Sequence, residues 1–217
     1  MPQASSYNQE LHQDCQKAVD MLRKMTGSPN DMIPREYLKR CKGLHFVITK
    51  TGGLIASVST SKSFTVRRLG KLPNGKPRWS GPLFSSASQV GLGLTAGYQD
   101  VETIIVLGDE TAVDKFRSSH LGTAVDIDMI AGKNSTVVQK DEQLHALSTC
   151  VPYSIAGGAC LDFSFKGGRV SIDKKKNQLV YGSRVKPADI LDGRFDAPEE
   201  FEALYTVLNA VASSRSS

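Results

Sequence analysis

The sequence predicts an α+β fold, a single domain in which a twisted, mostly antiparallel β-sheet or partial barrel is flanked by N- and C-terminal helices. Three observations predict it. Apolar residues recur with helical spacing only near the two ends, the long middle alternates with a period of two, and two glycine-rich strands punctuate that middle. With 217 residues and 40% apolar content, the chain can bury one sizeable core. The expected boundaries are a domain over 8–211 with disordered tails at 1–7 and 212–217.

The first helix is expected over 8–25, where Leu11, Cys15, Ala18, Val19, Leu22 and Met25 form one apolar stripe and Gly27-Ser28-Pro29-Asn30 ends it. Its polar face mixes Glu10, Asp14 and Asp20 with Lys17, Arg23 and Lys24. A nearly neutral face suits a helix packed on a core better than one lying in a membrane plane. Pro34 opens a second, short helix. From Gly43 the period becomes two, with Leu44, Phe46 and Ile48 on one side, and further strands are expected over 54–60 and 63–69. Pro73-Asn74-Gly75 is a tight turn.

Gly91, Gly93 and Gly97 then share one strand face, which needs another backbone or a ring close against it. Trp79, the only tryptophan, is the expected cover, and this stretch is expected at the sheet centre. Thr103–Leu107 reads as a strand buried on both faces, Ala112–Phe116 as a short helix, and Leu121–Ile130 as a strand. Tyr153–Ala159 is the second small-residue strand, and Gly167-Gly168 turns a hairpin into Arg169–Asp173. Lys174-Lys175-Lys176-Asn177 reads as a basic turn before residues 179–182. A short helix at Pro187–Leu191 precedes a last helix from Pro198, striped by Phe201, Leu204, Leu208 and Val211.

Several function classes drop out on composition and spacing. No apolar run approaches the length of a spanning helix, and the polar start lacks a signal-peptide core. Cys15, Cys41, Cys150 and Cys160 show no Cys-x-x-Cys spacing and read as reduced thiols of a cytoplasmic protein. His12, His45, His120 and His145 are scattered without metal-ligand spacing. The Gly91 row misses the dinucleotide fingerprint and is followed by a strand, so no helix N-terminus awaits a pyrophosphate. Ile127 stands where a phosphate loop ending at Gly132-Lys133 needs glycine. Asp126 and Asp128 would share a strand face, but nothing nearby supplies a third ligand. The expectation is no enzyme, no metal and no cofactor.

Charge is the stronger signal. The net charge is +5, and no acidic residue lies between Glu36 and Asp100. That interval holds Lys39, Arg40, Lys42, Lys50, Lys62, Arg67, Arg68, Lys71, Lys76 and Arg78, while Asp189, Asp192, Asp196, Glu199, Glu200 and Glu202 crowd near the C-terminus. Arg67, Arg68, Lys71, Lys76 and Arg78 bracket one turn. Near an anionic bilayer each such charge contributes about 1 kcal/mol, together on the order of 5 kcal/mol, weakening with salt. Arginine also matches phosphate with paired hydrogen bonds. Nucleic acid is the weaker candidate, because no recognition module and few neighbouring aromatics are present.

The ordered motifs resemble the SYLF domain family of endocytic and actin-patch proteins. They run from Cys15-x-Lys17-Ala18, Ile33-Pro34 and Lys42-Gly43-Leu44 through Pro73-Asn74-Gly75, Trp79-Ser80-x-Pro82 and the Gly91 row. They continue with Leu121-Gly122, Tyr153-Ser154, Phe163-Ser164-x-x-Gly167, Tyr181-Gly182, Ile190-Leu191-x-Gly193 and Pro198. The run Ala131-Gly132-Lys133-Asn134 departs from the family's usual Gly-Pro-x-Gly. The resemblance implies a non-enzymatic module that binds phosphoinositides, with actin-filament binding or bundling in some members. The expected lipid contacts are Lys39, Arg40, Lys42, Lys62, Arg67, Arg68, Lys71, Lys76 and Arg78, with Lys17, Arg23 and Lys24 on the helix behind them. The expected location is cytoplasmic, peripheral at an endosomal or plasma membrane. Actin binding and carriage of a small apolar ligand are the alternatives.

Overall fold

A computed structural model describes residues 2–27, 32–52, 58–88, 101–127, 150–156, 159–160 and 168–213. Among them, nine strands join one antiparallel sheet that curls into a half-barrel. In chain order these are β1 (Gly43–Gly52), β2 (Val58–Lys71), β3 (Pro77–Trp79), β4 (Leu83–Ser88) and β5 (Val101–Leu107). They are followed by β6 (Ala124–Ile127), β7 (Cys150–Ala156), β8 (Ala159–Cys160) and β9 (Gly168–Ile172). The spatial order is β6-β9-β4-β2-β1-β5-β7-β8, with β3 paired to β2 alone. The long β1–β2 pair, running from Gly43↔Arg67 to Gly52↔Val58, occupies the middle.

The sheet is covered on both faces, and the period of two decides which residue goes where. Leu44, Phe46, Ile48, Phe64, Val66, Ile104 and Val106 meet α1 (Pro2–Thr26), α2 (Arg35–Arg40) and the C-terminal pair formed by a 3₁₀ turn (Glu199–Phe201) and a final helix, Glu202–Ser213. Val47, Leu83, Ile105, Leu107, Val170 and Ile172 meet α3 (Glu110–Arg117) and the short helix Pro187–Leu191. A strand covered on both faces has no polar face to spare, which is why every residue of β5 is buried. On the first face Phe46 stacks on Phe64 at 4.9 Å, and Phe201 meets Phe64 and Phe84 edge-on at 5.2 and 5.8 Å.

The N-terminal helix packs as its stripe predicts: Leu11, Cys15, Ala18, Val19, Leu22 and Met25 are all buried. It begins at Pro2, ahead of the expected start. The paired carboxylates of Glu10 and Asp14 receive Lys176 at 3.1 and 2.6 Å, and Lys62 reaches Glu10 at 2.6 Å. At the other end Lys24 and Lys17 lie 2.8 and 3.7 Å from Glu102 of β5, whose side chain is nearly buried. Neutral composition on this face is therefore complementarity with the sheet.

Three expectations are corrected. The strands expected over 54–60 and 63–69 are, within the described residues, one uninterrupted strand, β2, because its ten-residue pairing with β1 leaves no place for a break at 61–62. The strand expected from Leu121 starts only at Ala124; Leu121-Gly122 is a turn, with Gly122 at φ +81°. The basic turn at Lys174–Asn177 is instead the first half of a helix, α4 (Lys174–Tyr181), which takes in most of residues 179–182 as well. The side chain of Asp173 caps it by accepting from the Lys176 amide at 2.8 Å, and Gly182 ends it at φ +100°. Fully buried Asn177 then ties α4 to the sheet, accepting from the Phe84 amide at 3.0 Å and donating to the Phe84 carbonyl at 2.8 Å. With α4 placed, Pro187–Leu191 is α5 and Glu202–Ser213 is α6. The glycine row at 91–97 and Asp128 lie outside the described residues.

Candidate anion-binding surface

The β2–β3 hairpin is built by its turn residues. The Leu72 amide donates to the Lys76 carbonyl at 2.7 Å, the Gly75 amide to the Leu72 carbonyl at 2.9 Å, and the Lys76 amide to Asn74 Oδ1 at 3.0 Å. Gly75 at φ +79° and Gly70 at φ +122° take backbone conformations that side chains disfavour. The register shifts between Arg68 and Gly70, which adds twist where the hairpin leaves the sheet. Lys71, Leu72 and Lys76 are exposed at its end. Among the described residues neither lysine has an ion-pair partner.

Behind the tip the cations are anchored. Arg68 donates to the Lys39 carbonyl, and its guanidinium lies 6.0 Å from the Trp79 ring. Trp79 in turn donates from Nε1 to Asn209 Oδ1 of α6 at 3.2 Å, so its described contacts are with the C-terminal helix and Arg68. Arg78 donates to the Gly193 carbonyl at 3.1 Å, fastening the hairpin to the loop after α5. Lys39 pairs with Glu36 at 2.8 Å, and Arg40 beside it is exposed. The structure thus sets Arg68 against Lys39 and places Arg78 on the strand beside it, with Lys71 and Lys76 at the hairpin end; Arg40 follows Lys39 in the chain and is exposed.

Other expected contacts lie elsewhere. Arg67 is mostly buried and donates to Asp192 at 2.6 Å and to Glu110 at 3.0 Å. Arg117 grips the same Asp192 carboxylate through two bonds of 2.7 and 3.0 Å, and Lys42 lies 3.8 Å from Glu110. The Arg117 hydrogen bond holds the Asp192 carboxyl below its usual pKa. Lys62, Lys17 and Lys24 bind α1 and the sheet together, as described above, and Arg23 is exposed on α1 away from that seam. Sequence reasoning missed the outward face of α4, whose lysines looked like a turn; the signal was Asp173 three residues before Lys176, the spacing of a capped helix.

Among the described residues, no group of three or more His, Cys, Asp or Glu side chains could hold a metal ion, and no helix is long and apolar enough to cross a membrane. Among the described residues the one buried imidazole, His45, has Nδ1 2.9 Å from Thr65 Oγ1 and its ring 5.0 Å from Phe116, inside the core.

A family model for Ysc84, described as a Las17-binding protein and actin regulator, matches residues 88–211, more than half of the chain. The description is that of a binding protein rather than an enzyme. An SH3 domain-containing YSC84-like protein 1 from Rattus norvegicus is 25% identical over 207 residues, covering 92% of this chain and 59% of its own length. From Saccharomyces cerevisiae, Protein YSC84 is 26% identical over 213 residues, covering 93% of this chain and 44% of its own, and LAS seventeen-binding protein 3 is 25% identical with 93% and 45%. The chain therefore spans about half of the curated relatives it matches. The basic hairpin falls before the family-model match but inside the wider alignments with these relatives.

Proposed function

Because the chain belongs to the Ysc84, or SYLF, family of actin regulators, we propose that it is a non-catalytic binding module of the actin-regulatory machinery, contacting acidic protein surfaces through the β2–β3 hairpin. The observation that supports this contact is the pair Lys71 and Lys76, exposed at the hairpin end and unopposed among the described residues, while the cations behind them are anchored. Exposed charges of this kind steer and register a partner, and their effect fades with salt. Actin filaments are the first partner to test, by co-sedimentation. Lys71→Glu with Lys76→Glu should abolish pelleting with filaments while leaving the unfolding midpoint unchanged, since neither side chain supports the fold. Pelleting equal to the wild type removes the hairpin from the reading.

Phosphoinositide membranes are the second reading, and Leu72 favours it. It is 37% exposed between two lysines, an apolar side chain set among cations that suits an interfacial contact. In this reading the module works at the cytoplasmic side of an endosomal or plasma membrane. Vesicle sedimentation with and without phosphoinositide separates the two: binding that needs the lipid and falls with Leu72→Ser supports the membrane, and binding to filaments without lipid supports actin.

A further inference from the structure

Past Arg67 the long strand β2 leaves the sheet. Its pairing with β1 ends at Gly43↔Arg67 and its pairing with β4 at Thr65↔Leu83, so among the described residues its only strand neighbour from Arg68 onward is β3. A two-stranded ribbon holds its direction poorly on its own. Helices on both sides grip this one at its base. On one side Trp79 reaches Asn209 of α6 at 3.2 Å, and Arg68 reaches the Lys39 carbonyl of α2. On the other, three side chains converge on Asp192 and Gly193 at the end of α5. Arg67 donates to the Asp192 carboxylate at 2.6 Å, Arg78 donates to the Gly193 carbonyl at 3.1 Å, and Leu69 Cδ1 fills the space that a side chain at Gly193 would need. Leu69 is also the unpaired residue where the register shifts between Arg68 and Gly70, the point at which the ribbon bends.

Asp192 and Gly193 are themselves held. The Asp192, Gly193 and Arg194 amides donate back to the Ala188, Ile190 and Asp189 carbonyls at 2.8, 3.0 and 3.0 Å, and Arg117 of α3 grips the Asp192 carboxylate. Gly193 has φ +70°, a conformation that ends a helix and favours glycine. The missing side chain has a second use here. A methyl group at Gly193 would overlap Leu69 Cδ1 and stand 3.3 Å from Arg78 Nη2. At Gly122, with a similar φ of +81°, the nearest atom to such a methyl is Lys174 Cβ at 3.9 Å, so the backbone conformation alone does not bring the crowding.

We propose that Gly193 is the positioning residue of the β2–β3 hairpin. By letting the bulge residue Leu69 and the Arg78 guanidinium close on the end of α5, it fixes the direction in which Lys71 and Lys76 are presented. The end of α5 thus controls a binding tip whose lysines it does not itself contact. The consequence for binding rests on the contact proposed above for those two lysines, whereas the pose of the hairpin does not. Leu69 and Gly193 carry no charge, so their part of the control is steric and salt does not remove it.

Trp79, the only tryptophan, follows Arg78 on β3 and reports the pose through its emission. The test compares the whole chain with Gly193→Ala, Leu69→Ala, the two combined, and Gly122→Ala, all well below their unfolding midpoints. Gly193→Ala should move Trp79 emission to longer wavelength, raise its quenching by acrylamide and weaken co-sedimentation with actin filaments several-fold, with far-UV circular dichroism unchanged. Leu69→Ala by itself should change these readings little, because Arg67 and Arg78 keep their holds. In the double variant the added methyl group has room, so all three readings should return toward the wild type, a coupling that a strained backbone alone does not produce. Gly122→Ala should lower the midpoint and leave Trp79 and pelleting as in the wild type. The proposal is overturned by wild-type emission and quenching in Gly193→Ala, by a shift that Gly122→Ala reproduces, or by a double variant no better than Gly193→Ala. Pelleting that stays at the wild-type level although Trp79 has moved overturns it as well. Wild-type protein that does not pellet with filaments removes the contact reading alone, and the Trp79 comparison still decides the positioning.

Discussion

His45 shows how a single side chain can set the acid limit of the fold. It sits on β1 opposite Thr65, with no exposed surface and Nε2 unpartnered among the described residues. Burial lowers its pKa from the usual 6.5 to about 3. The unfolded chain therefore binds a proton that the native protein refuses between those two values, and stability falls as pH drops below about 6.5. Glu10 and Asp192 work in a different window. Their pKa values are lowered by hydrogen bonds from Lys62 and Arg117, so their contribution is intact above the ordinary carboxylate range and is lost only as pH falls through it. Comparing pH 7 with pH 5 isolates the imidazole. Urea unfolding of His45→Gln, which keeps a polar partner for Thr65 without a titrating group, should lose most of a wild-type decline on the order of 2 kcal/mol. An unchanged decline would assign the acid sensitivity to another group.

Among the elements, α1 is the one whose role the packing decides. Its apolar stripe faces the sheet and α6, and its ends are tied down by Lys176, Lys62 and Glu102. A helix held this way contributes to the core, and removing one of its central side chains opens a cavity. Leu22→Ala should cost about 2–5 kcal/mol in chemical denaturation, with the slope of the transition unchanged. A cost below about 1 kcal/mol would mean that α1 spends its time off the sheet. Cys15 on the same stripe is fully buried, and burial raises its pKa, so it should resist thiol reagents until α1 leaves the core.

On the scale of the whole molecule, the acid-free half of the chain is neutralised by folding more than its composition shows. Asp192 and Glu110 draw in Arg67, Arg117 and Lys42, joining β2, α3 and the end of α5. Arg67→Glu would set a third carboxylate against those two in a site where the arginine side chain is only 20% exposed. It should destabilise the protein by about 3–5 kcal/mol, read as a lowered urea midpoint. Loss of ligand binding in that variant would report damage to the fold, whereas Lys71 and Lys76 can be reversed without disturbing any described ion pair. A stable Arg67→Glu variant would show that the network carries little of the molecule's stability.

The sequence by itself determined the elements whose cause is local. Alternation along Leu44, Phe46 and Ile48 marks β1, the stripe from Leu11 to Met25 marks α1, and Pro73-Asn74-Gly75 turns the hairpin, because each depends on neighbours a few residues away. It also determined the family resemblance and the excess of cations between Glu36 and Asp100. It did not reveal α4, where charged residues on the solvent face hid the buried Asn177 and half-buried Tyr181 that the helix presents to the sheet. Which cations remain available was decided by tertiary structure alone. Arg67 meets its carboxylate 125 residues further on, and Trp79 its asparagine 130 residues further on. Charge composition is additive along a chain, but electrostatic neutralisation depends on distances of a few ångströms in space, and only the folded sheet brings those groups within reach.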